Sequence, residues 1–576
     1  MMARVSQHDI HQTRGVGLNS MNISRYGFVF GWWLLLVVIP LAAEEGTHSF
    51  KDRLGARLDL AATTGQLEVA GEYIVELSMV TALYEHATFH PLWNKPENVR
   101  SLMRWIDRSW EEGLNPEDYH RKALNQVLKL ESASLGQEIE RELLLTDGLM
   151  QLIMHLHTGK ADPKRLFKAW NYEPDLRGFP TFDEIITSLQ LGRIDELLVE
   201  QFPGGTIYPA LRQSLAKYRE ILQRGGWKEL TPGTTLHPGD QGERELQLRV
   251  RLHASGDLGT ESMGPPDFFD AGLEQAVRRF QRRHLLEDDG IVGRITLTAL
   301  NVPVEQKIRK IRINMERLRW LNHGIPNEFI GVDLAGFYVF HWKDLDIKWS
   351  SAVQVGKPYH QTPIFRDTIT YIDINPTWTV PMSITRKELA PRLLKAPLEY
   401  LEKHNMELLT PGGRPVDPGQ VDWESLSARS FPYVLRQRPG PNNALGRIKF
   451  MFPNKYHVYL HDTPSKKLFS RTRRAFSHGC IRVENPLELG ELLLAGNHEG
   501  WSRARLEEVI RTRETRTVVL RQPMPILIIY LTAAPDMIDP HGLIQFRPDI
   551  YHRDEKVLKA LDGPVLQKGS KLLDQL

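Results

Sequence analysis

Cysteine is almost absent from this chain: Cys480 is the only one in 576 residues. A single thiol excludes an internal disulfide and any zinc site built on several cysteines. Net charge is nearly absent too, with 73 Lys and Arg against 71 Asp and Glu. That balance argues against a nucleic-acid binder, which carries a basic stripe or domain. There is no long low-complexity tract, and 41% apolar with 25% charged residues is the make-up of a globular chain. The chain lacks a His-Glu-x-x-His pattern as well. His457, His461 and His478 lie near Asp462 in sequence, but the zinc-peptidase signature is missing, so neither a metal nor a cofactor is expected. The length exceeds one ordinary domain and suggests about three or four.

The N-terminal segment addresses the compartment. Residues 1–26 are polar, with Arg4, Arg14 and Arg25, and lead into the apolar run Gly27–Ala43 and then Glu44-Glu45. A positive flank, a short apolar run and small residues read as an export signal. Leu41 is a mediocre residue three before a cut after Ala43, and the run is short for a span, so a cleaved signal and an uncleaved inner-membrane anchor both stay open. Either way the bulk of the chain is expected in the periplasm. One thiol in an oxidising compartment cannot pair within its own chain, which suits a working cysteine.

From about 71 to 230 the pattern is helical: Leu145, Leu149, Leu152 and Leu156 share one face. Phe89, Trp93, Trp105 and Trp110 either line a sugar-binding groove or, the preferred reading, pack a helical core. Residues 233–302 form a punctuated unit. Leu246, Leu248, Val250 and Leu252 alternate as a strand would. Ala276-Val-Arg-Arg-Phe-Gln-Arg-Arg283 reads as a helix, and Asp289-Gly290-Ile-Val-Gly293 turns into Thr296-Leu-Thr-Ala-Leu-Asn301. Residues 303–325 are a charged amphipathic helix, expected to be a solvated connector. Strand character begins at Glu328 and includes Phe337–His341, Ser351–Val355 and Thr370–Ile374. An irregular insertion at about 384–440 is too long for a turn and suggests a capping element. Strands resume at Gly446–Phe452 and Val458–His461, and Pro525–Leu531 with Gly542–Phe546 reads as a closing hairpin.

The chemistry gathers at Ser477-His-Gly-Cys480-Ile-Arg-Val483 and the upstream Tyr459-Leu-His461-Asp462. A thiol is a nucleophile as thiolate, and a nearby imidazole is the usual route to one. His461 ends an apolar alternating strand and Cys480 sits at a glycine turn, so the two can meet at the end of a sheet. His478 is too near in sequence for a linear proton transfer and suits shaping the turn. Backbone N–H groups near Gly479 and Cys480 are candidate oxyanion donors. Asp462 or a backbone carbonyl would orient His461. Arg482 either binds a peptide carboxylate or makes a structural ion pair, and Tyr459 and Trp378 either contact substrate or pack.

These motifs resemble known families. A histidine followed about twenty residues later by Ser-His-Gly-Cys is similar to the signature of the L,D-transpeptidase (YkuD-type) catalytic domain. Ala276–Asn301 resembles a three-helix peptidoglycan-binding domain, which implies a helix where Leu246–Leu252 alternate. Residues upstream resemble the helical scaffold of the large proteobacterial class. The resemblance implies a multidomain α+β fold: export signal or anchor at 1–43, helical scaffold at 44–232, peptidoglycan-binding domain at 233–302, linker helix at 303–325, mainly-β catalytic domain at 326–550 with the capping insertion, and a tail at 551–576. It implies Cys480 as nucleophile and His461 as base, with Ser477, His478 and Gly479 supporting the motif. The implied reaction is 3→3 cross-linking of peptidoglycan stems through a cysteinyl thioester, with loss of D-alanine. A D,D-carboxypeptidase partner supplying tetrapeptide donors and inactivation by carbapenems are also implied. The rival readings are an L,D-carboxypeptidase, a non-catalytic wall-binding protein, and a sortase-like enzyme.

Overall fold

The computed structural model describes residues 49–567 except 131–132, 174–175, 260–264, 322–323, 498–499 and 538–542. The expected export segment and Gly542 lie outside the described residues.

The N-terminal scaffold is built around helix α1 (Leu135–Thr158). Ser134 and Gln137 close its start as a capping box, satisfying two donors that a helix N-terminus leaves free. Leu145, Leu149, Leu152 and Leu156 are buried along it, as their spacing predicts. Trp93 is buried and donates from its indole to Thr146 Oγ1 at 2.9 Å, while Phe89 and Trp105 pack on the same core. Trp110 alone of the four is exposed, under the Arg219 guanidinium. These aromatics chiefly serve the core.

Three helices follow: α2 (Glu243–Ser255), α3 (Ala271–Arg283) and α4 (Arg294–Leu300). Leu248 and Leu252 are fully buried whereas Val250 is 62% exposed. Burial therefore follows the helical period, and the strand-like alternation of this segment is accidental. Val277 and Phe280 fill the core, and the Gln281 amide ties α3 to the turn at Ile291 and to Thr296.

Helix α5 (Val304–Leu321) departs from expectation. It is not a solvated connector but the buried hub of the assembly. Glu316 accepts from the Ala161 N–H of the scaffold at 2.6 Å and pairs with Arg319 at 2.9 Å. Lys307 meets His284, the C-cap of α3, at 2.9 Å, Asn314 bonds Thr532 at 2.9 Å, and Arg317 pairs with Asp554 at 2.7 Å. Its charges read as solvated because, the local Glu316–Arg319 pair aside, their partners come from distant parts of the chain.

The region from residue 328 onward is a sheet of nine strands: β1 (Glu328–Asp333), β2 (Tyr338–Lys343), β3 (Asp346–Gly356), β4 (Phe365–Ile374), β5 (Ile448–Met451), β6 (Leu460–His461), β7 (Ala475–Ser477), β8 (Ile481–Val483) and β9 (Arg516–Ile529). Their order is β7-β3-β8-β6-β5-β4-β9-β1-β2, and β2 also pairs with β3. The ring closes, with β7 hanging from β3. Closure leaves few free edges, which is how β folds avoid pairing with other chains. Ile330, Val353, Ile372, Phe450, Leu460, Ile481 and Ile526 fill its core.

Two expectations are corrected here. Pro525–Leu531 does not form a hairpin with Gly542–Phe546. Strand β9 is occupied on both edges, antiparallel to β4 and parallel to β1, so Ile544–Phe546 pairs with Ala533–Pro535 instead. The stretch beyond residue 550 is also more than a tail: Tyr551 enters the core of the ring, and helix α6 (Asp554–Asp562) sends Val557 and Leu561 into the N-terminal helical core.

The capping insertion has its own architecture. Strands Trp378–Thr379, Val434–Gln437, Met406–Leu409 and Pro415–Val416 lie in that order, over a separate core containing Ala390, Leu393, Leu401, Phe431 and Leu435.

Substituting Glu316→Ala would leave the Arg319 guanidinium buried without its carboxylate. Losing one partner of a buried pair costs about 3–5 kcal/mol. A clear fall in the urea midpoint is the expected result, and an unchanged midpoint would contradict the role given to α5.

Candidate active site

Strand alternation places the reactive groups. Leu460 of β6 and Ile481 of β8 are fully buried in the core of the ring. Their neighbours Tyr459, His461, Cys480 and Arg482 therefore turn to the opposite face, because successive strand side chains alternate. The register then aligns them. His461 stands opposite Arg482 on the parallel strand β8 and opposite Lys449 on the antiparallel strand β5. The next row holds Cys480 and Tyr459, joined where the Ile481 N–H donates to the Tyr459 carbonyl at 3.0 Å. Sequence positions 459–461 and 480–482 thus become one patch.

His461 is held by a backbone carbonyl. Its Nδ1 lies 2.5 Å from the Asp462 carbonyl oxygen. A carbonyl only accepts, so Nδ1 carries the proton and Nε2 is the basic nitrogen of the neutral ring. The Asp462 carboxylate is engaged elsewhere: it accepts from the Arg447 N–H at 2.9 Å and pairs with Lys466 at 2.8 Å. Of the two ways to orient His461, the structure takes the carbonyl. Gly446 makes room for this arrangement, since its φ is +64° and a Cβ there would collide with the Asp462 side chain.

The nucleophile turn is braced from inside. Ser477 Oγ donates to the Cys480 carbonyl and accepts from the Gly479 N–H at 3.1 Å. The Gly479 amide is therefore already spent, which corrects its candidacy as an oxyanion donor. No hydrogen bond engages the Cys480 N–H among the described residues, so it keeps that capacity. Gly479 has φ +120°, a conformation that side chains disfavour. Thr362 Oγ1 donates to the Gly479 carbonyl at 2.8 Å, and the Lys357 N–H donates to the Ser477 carbonyl at 2.9 Å. Behind them, the Tyr551 hydroxyl donates to the Gly356 carbonyl at 2.7 Å.

The remaining candidates separate. His478 does not serve the thiol; its Nε2 meets Glu388 Oε1 of the cap at 2.7 Å, and its ring lies 4.9 Å from that of His360. Arg482 donates to Gln354 Oε1 at 3.3 Å and has no carboxylate partner among the described residues. Tyr459 lies edge-on to His461 with centroids 5.7 Å apart. Trp378 packs against the cap core. Among the described residues no cluster of three or more His, Cys, Asp or Glu is placed to hold a metal ion. Sequence reasoning missed Lys449, Thr362, Glu388 and Tyr551. A lysine between Ile448 and Phe450 in an apolar strand was the one local signal; the others reach the site from distant segments.

Burial sets the protonation states. It pushes the Cys480 thiol up, against the Tyr459 backbone N–H and hydroxyl and the charges of Lys449 and Arg482. Burial, aided by the Arg482 charge, pushes His461 down to about 3. The resting pair is a neutral thiol and a neutral imidazole. Consistently, the thiol points to the His457 carbonyl at 3.6 Å.

Three stretches of the chain match known domain families. Residues 327–506 match the model described as "L,D-transpeptidase catalytic domain". That segment is an L,D-transpeptidase catalytic domain. Residues 241–300 match the "Putative peptidoglycan binding domain" and residues 78–215 the "Scaffold domain". A Haemophilus influenzae protein named "Putative L,D-transpeptidase" is 34% identical over 251 residues, covering 43% of this chain and 49% of that protein. The chain thus spans about half the length of the curated relative it matches. Among solved structures, an L,D-transpeptidase from Xylanimonas cellulosilytica aligns at 14% identity, 52% of this chain, 100% of that one and a TM-score of 0.16. The avibactam carbamoyl enzyme of Ldtfm aligns at 14% identity, 36% and 49% coverage and a TM-score of 0.17. At such scores the overlays add nothing to the sequence matches.

The protonation states predict the pH profile of the transpeptidase domain's thiol. Only thiolate is alkylated readily, and the thiol pKa is raised, so iodoacetamide labelling of Cys480 should be slow at pH 7 and climb beyond the ordinary thiol range. With His461 titrating near 3, no inflection from it falls between pH 5 and 8. A labelling rate already at plateau by pH 7 would refute the neutral pair.

Proposed function

We propose that the protein is an exported L,D-transpeptidase forming 3→3 peptidoglycan cross-links in the periplasm. The observation that carries this reading is the single face shared by Cys480, immediately before β8, and by His461 of the adjoining parallel strand β6, whose Nε2 is the free, basic nitrogen. In the first half-reaction Nε2 takes the thiol proton as the sulfur attacks the carbonyl of the third residue of a tetrapeptide stem. The Cys480 N–H donates to the developing oxyanion. Collapse returns the proton to the departing amine and releases D-alanine, leaving a thioester. In the second, an amine of the third-position diamino acid on a neighbouring stem attacks the thioester, with Nε2 now taking the amine's proton.

A raised thiol pKa and a weakly basic imidazole make ion-pair formation unfavourable before substrate arrives. Proton transfer and sulfur–carbon bond formation therefore belong to one step. The unpaired Arg482 offers a cation to a stem-peptide carboxylate. The peptidoglycan-binding module would keep the domain on its polymer, with a D,D-carboxypeptidase supplying tetrapeptides.

Intact-protein mass spectrometry with a disaccharide tetrapeptide tests this. Wild type should gain an acyl adduct and yield a 3→3 dimer, and Cys480→Ala should do neither. An adduct giving only tripeptide would make the protein an L,D-carboxypeptidase. No adduct with wall binding retained would leave a binding protein.

A further inference from the structure

Lys449 takes no part in the reading above, yet it faces the same patch. It lies on β5 directly opposite His461, and its Nζ stands 4.0 Å over the Tyr459 ring. Tyr459 in turn is the register neighbour of Cys480. No carboxylate lies within ion-pair distance of Lys449 among the described residues. Asp373, beside it on β4, accepts instead from the Thr517 hydroxyl at 2.6 Å. A half-buried lysine with no direct ion pair, steadied only by the nearby charge of Asp373, is costly, so its placement on this face calls for a reason.

We propose that Lys449 is a positioning residue: it pins the Tyr459 ring beside the Cys480 sulfur and supplies a positive charge that favours thiolate there. A cation over an aromatic face is attracted to the ring, and withdrawing electron density makes the phenol a better donor to sulfur. A positive charge near a thiol also lowers its pKa directly. Burial alone would hold the thiol higher than it stands; the hydroxyl and backbone N–H of Tyr459, followed by Lys449 and Arg482, offset part of that rise. The groups facing the sulfur and its partners are Arg482 on β8, Tyr459 and His461 beside β6, Lys449 on β5 and Asp373 on β4. Beyond the turn lie His478, His360 of the β3–β4 loop and Glu388 of the cap. Of these, Lys449 and Arg482 are the cations acting on the thiol. Arg482 is retained in the test.

The inference deepens the transpeptidase reading but is tested without turnover. Iodoacetamide labelling of Cys480 is followed against pH in the full chain for wild type, Lys449→Met and Lys449→Arg, with Cys480→Ala as blank. The methionine keeps the length and packing of the side chain, and the arginine keeps the charge. Lys449→Met should move the midpoint up by about one pH unit, about tenfold slower labelling near neutrality, and Lys449→Arg should restore most of it. An unmoved midpoint in Lys449→Met overturns the proposal. Equal shifts in both variants also overturn it, since packing rather than charge would then be responsible. A charge-dependent midpoint in a protein that forms no cross-link would sustain this inference and sink the proposed function.

Discussion

The site depends on the alternation of side chains along β5, β6 and β8. Because Phe450, Leu460 and Ile481 must face the core, Lys449, His461, Tyr459, Cys480 and Arg482 must face away from it. A slip of one residue in any of these pairings would exchange the two sets, placing charges in the core and the nucleophile out of reach. The apolar core thereby enforces the catalytic register. Backbone hydrogen bonds then complete what register begins: a carbonyl fixes the His461 tautomer, and Ser477 with Thr362 fixes the turn that presents Cys480. No charged side chain is required to orient the imidazole. This leaves the cations of the patch available to the thiol and to substrate.

Around that face the other parts are joined through buried polar contacts rather than through linkers. Helix α5 contributes charged or amide side chains to each neighbour, so scaffold, peptidoglycan-binding module, the segment after β9 and α6 share a common element. Such contacts define geometry because a buried polar group tolerates only an arrangement that satisfies it. The cap meets the site through a different kind of contact. Glu388 reaches His478 at a half-exposed position, where an ion pair contributes little energy. The motif histidine therefore belongs to the seam between cap and turn, and its closeness to Cys480 in sequence does not make it the base.

Much of this was legible in the sequence where local rules decide. The leucines of α1, the glycine turn at Cys480, the strand ending at His461 and the separate capping insertion could all be read from period and punctuation. Legibility failed where partners come from far along the chain. The charges of α5 looked solvent-facing, since nothing near them in sequence names Ala161, Thr532 or Asp554. The alternation of Leu246–Leu252 gave the wrong period, and only the family resemblance supplied the helix. The hairpin expected near the end failed because β9 pairs on both edges with strands from much earlier in the chain. At the site itself, residue types announced Cys480 and His461, but the choice between the Asp462 carboxylate and carbonyl required coordinates. The commitment of the Gly479 amide required them too.

The central claim is that His461 rests neutral, protonated on Nδ1, with Nε2 free to take the thiol proton. Nitrogen-15 NMR of the protein labelled at histidine measures this directly, with His461→Gln assigning the signal. The account predicts an Nδ1–H tautomer whose shifts stay constant from pH 5 to 8. An Nε2–H tautomer, or a ring that titrates near pH 6, would contradict it.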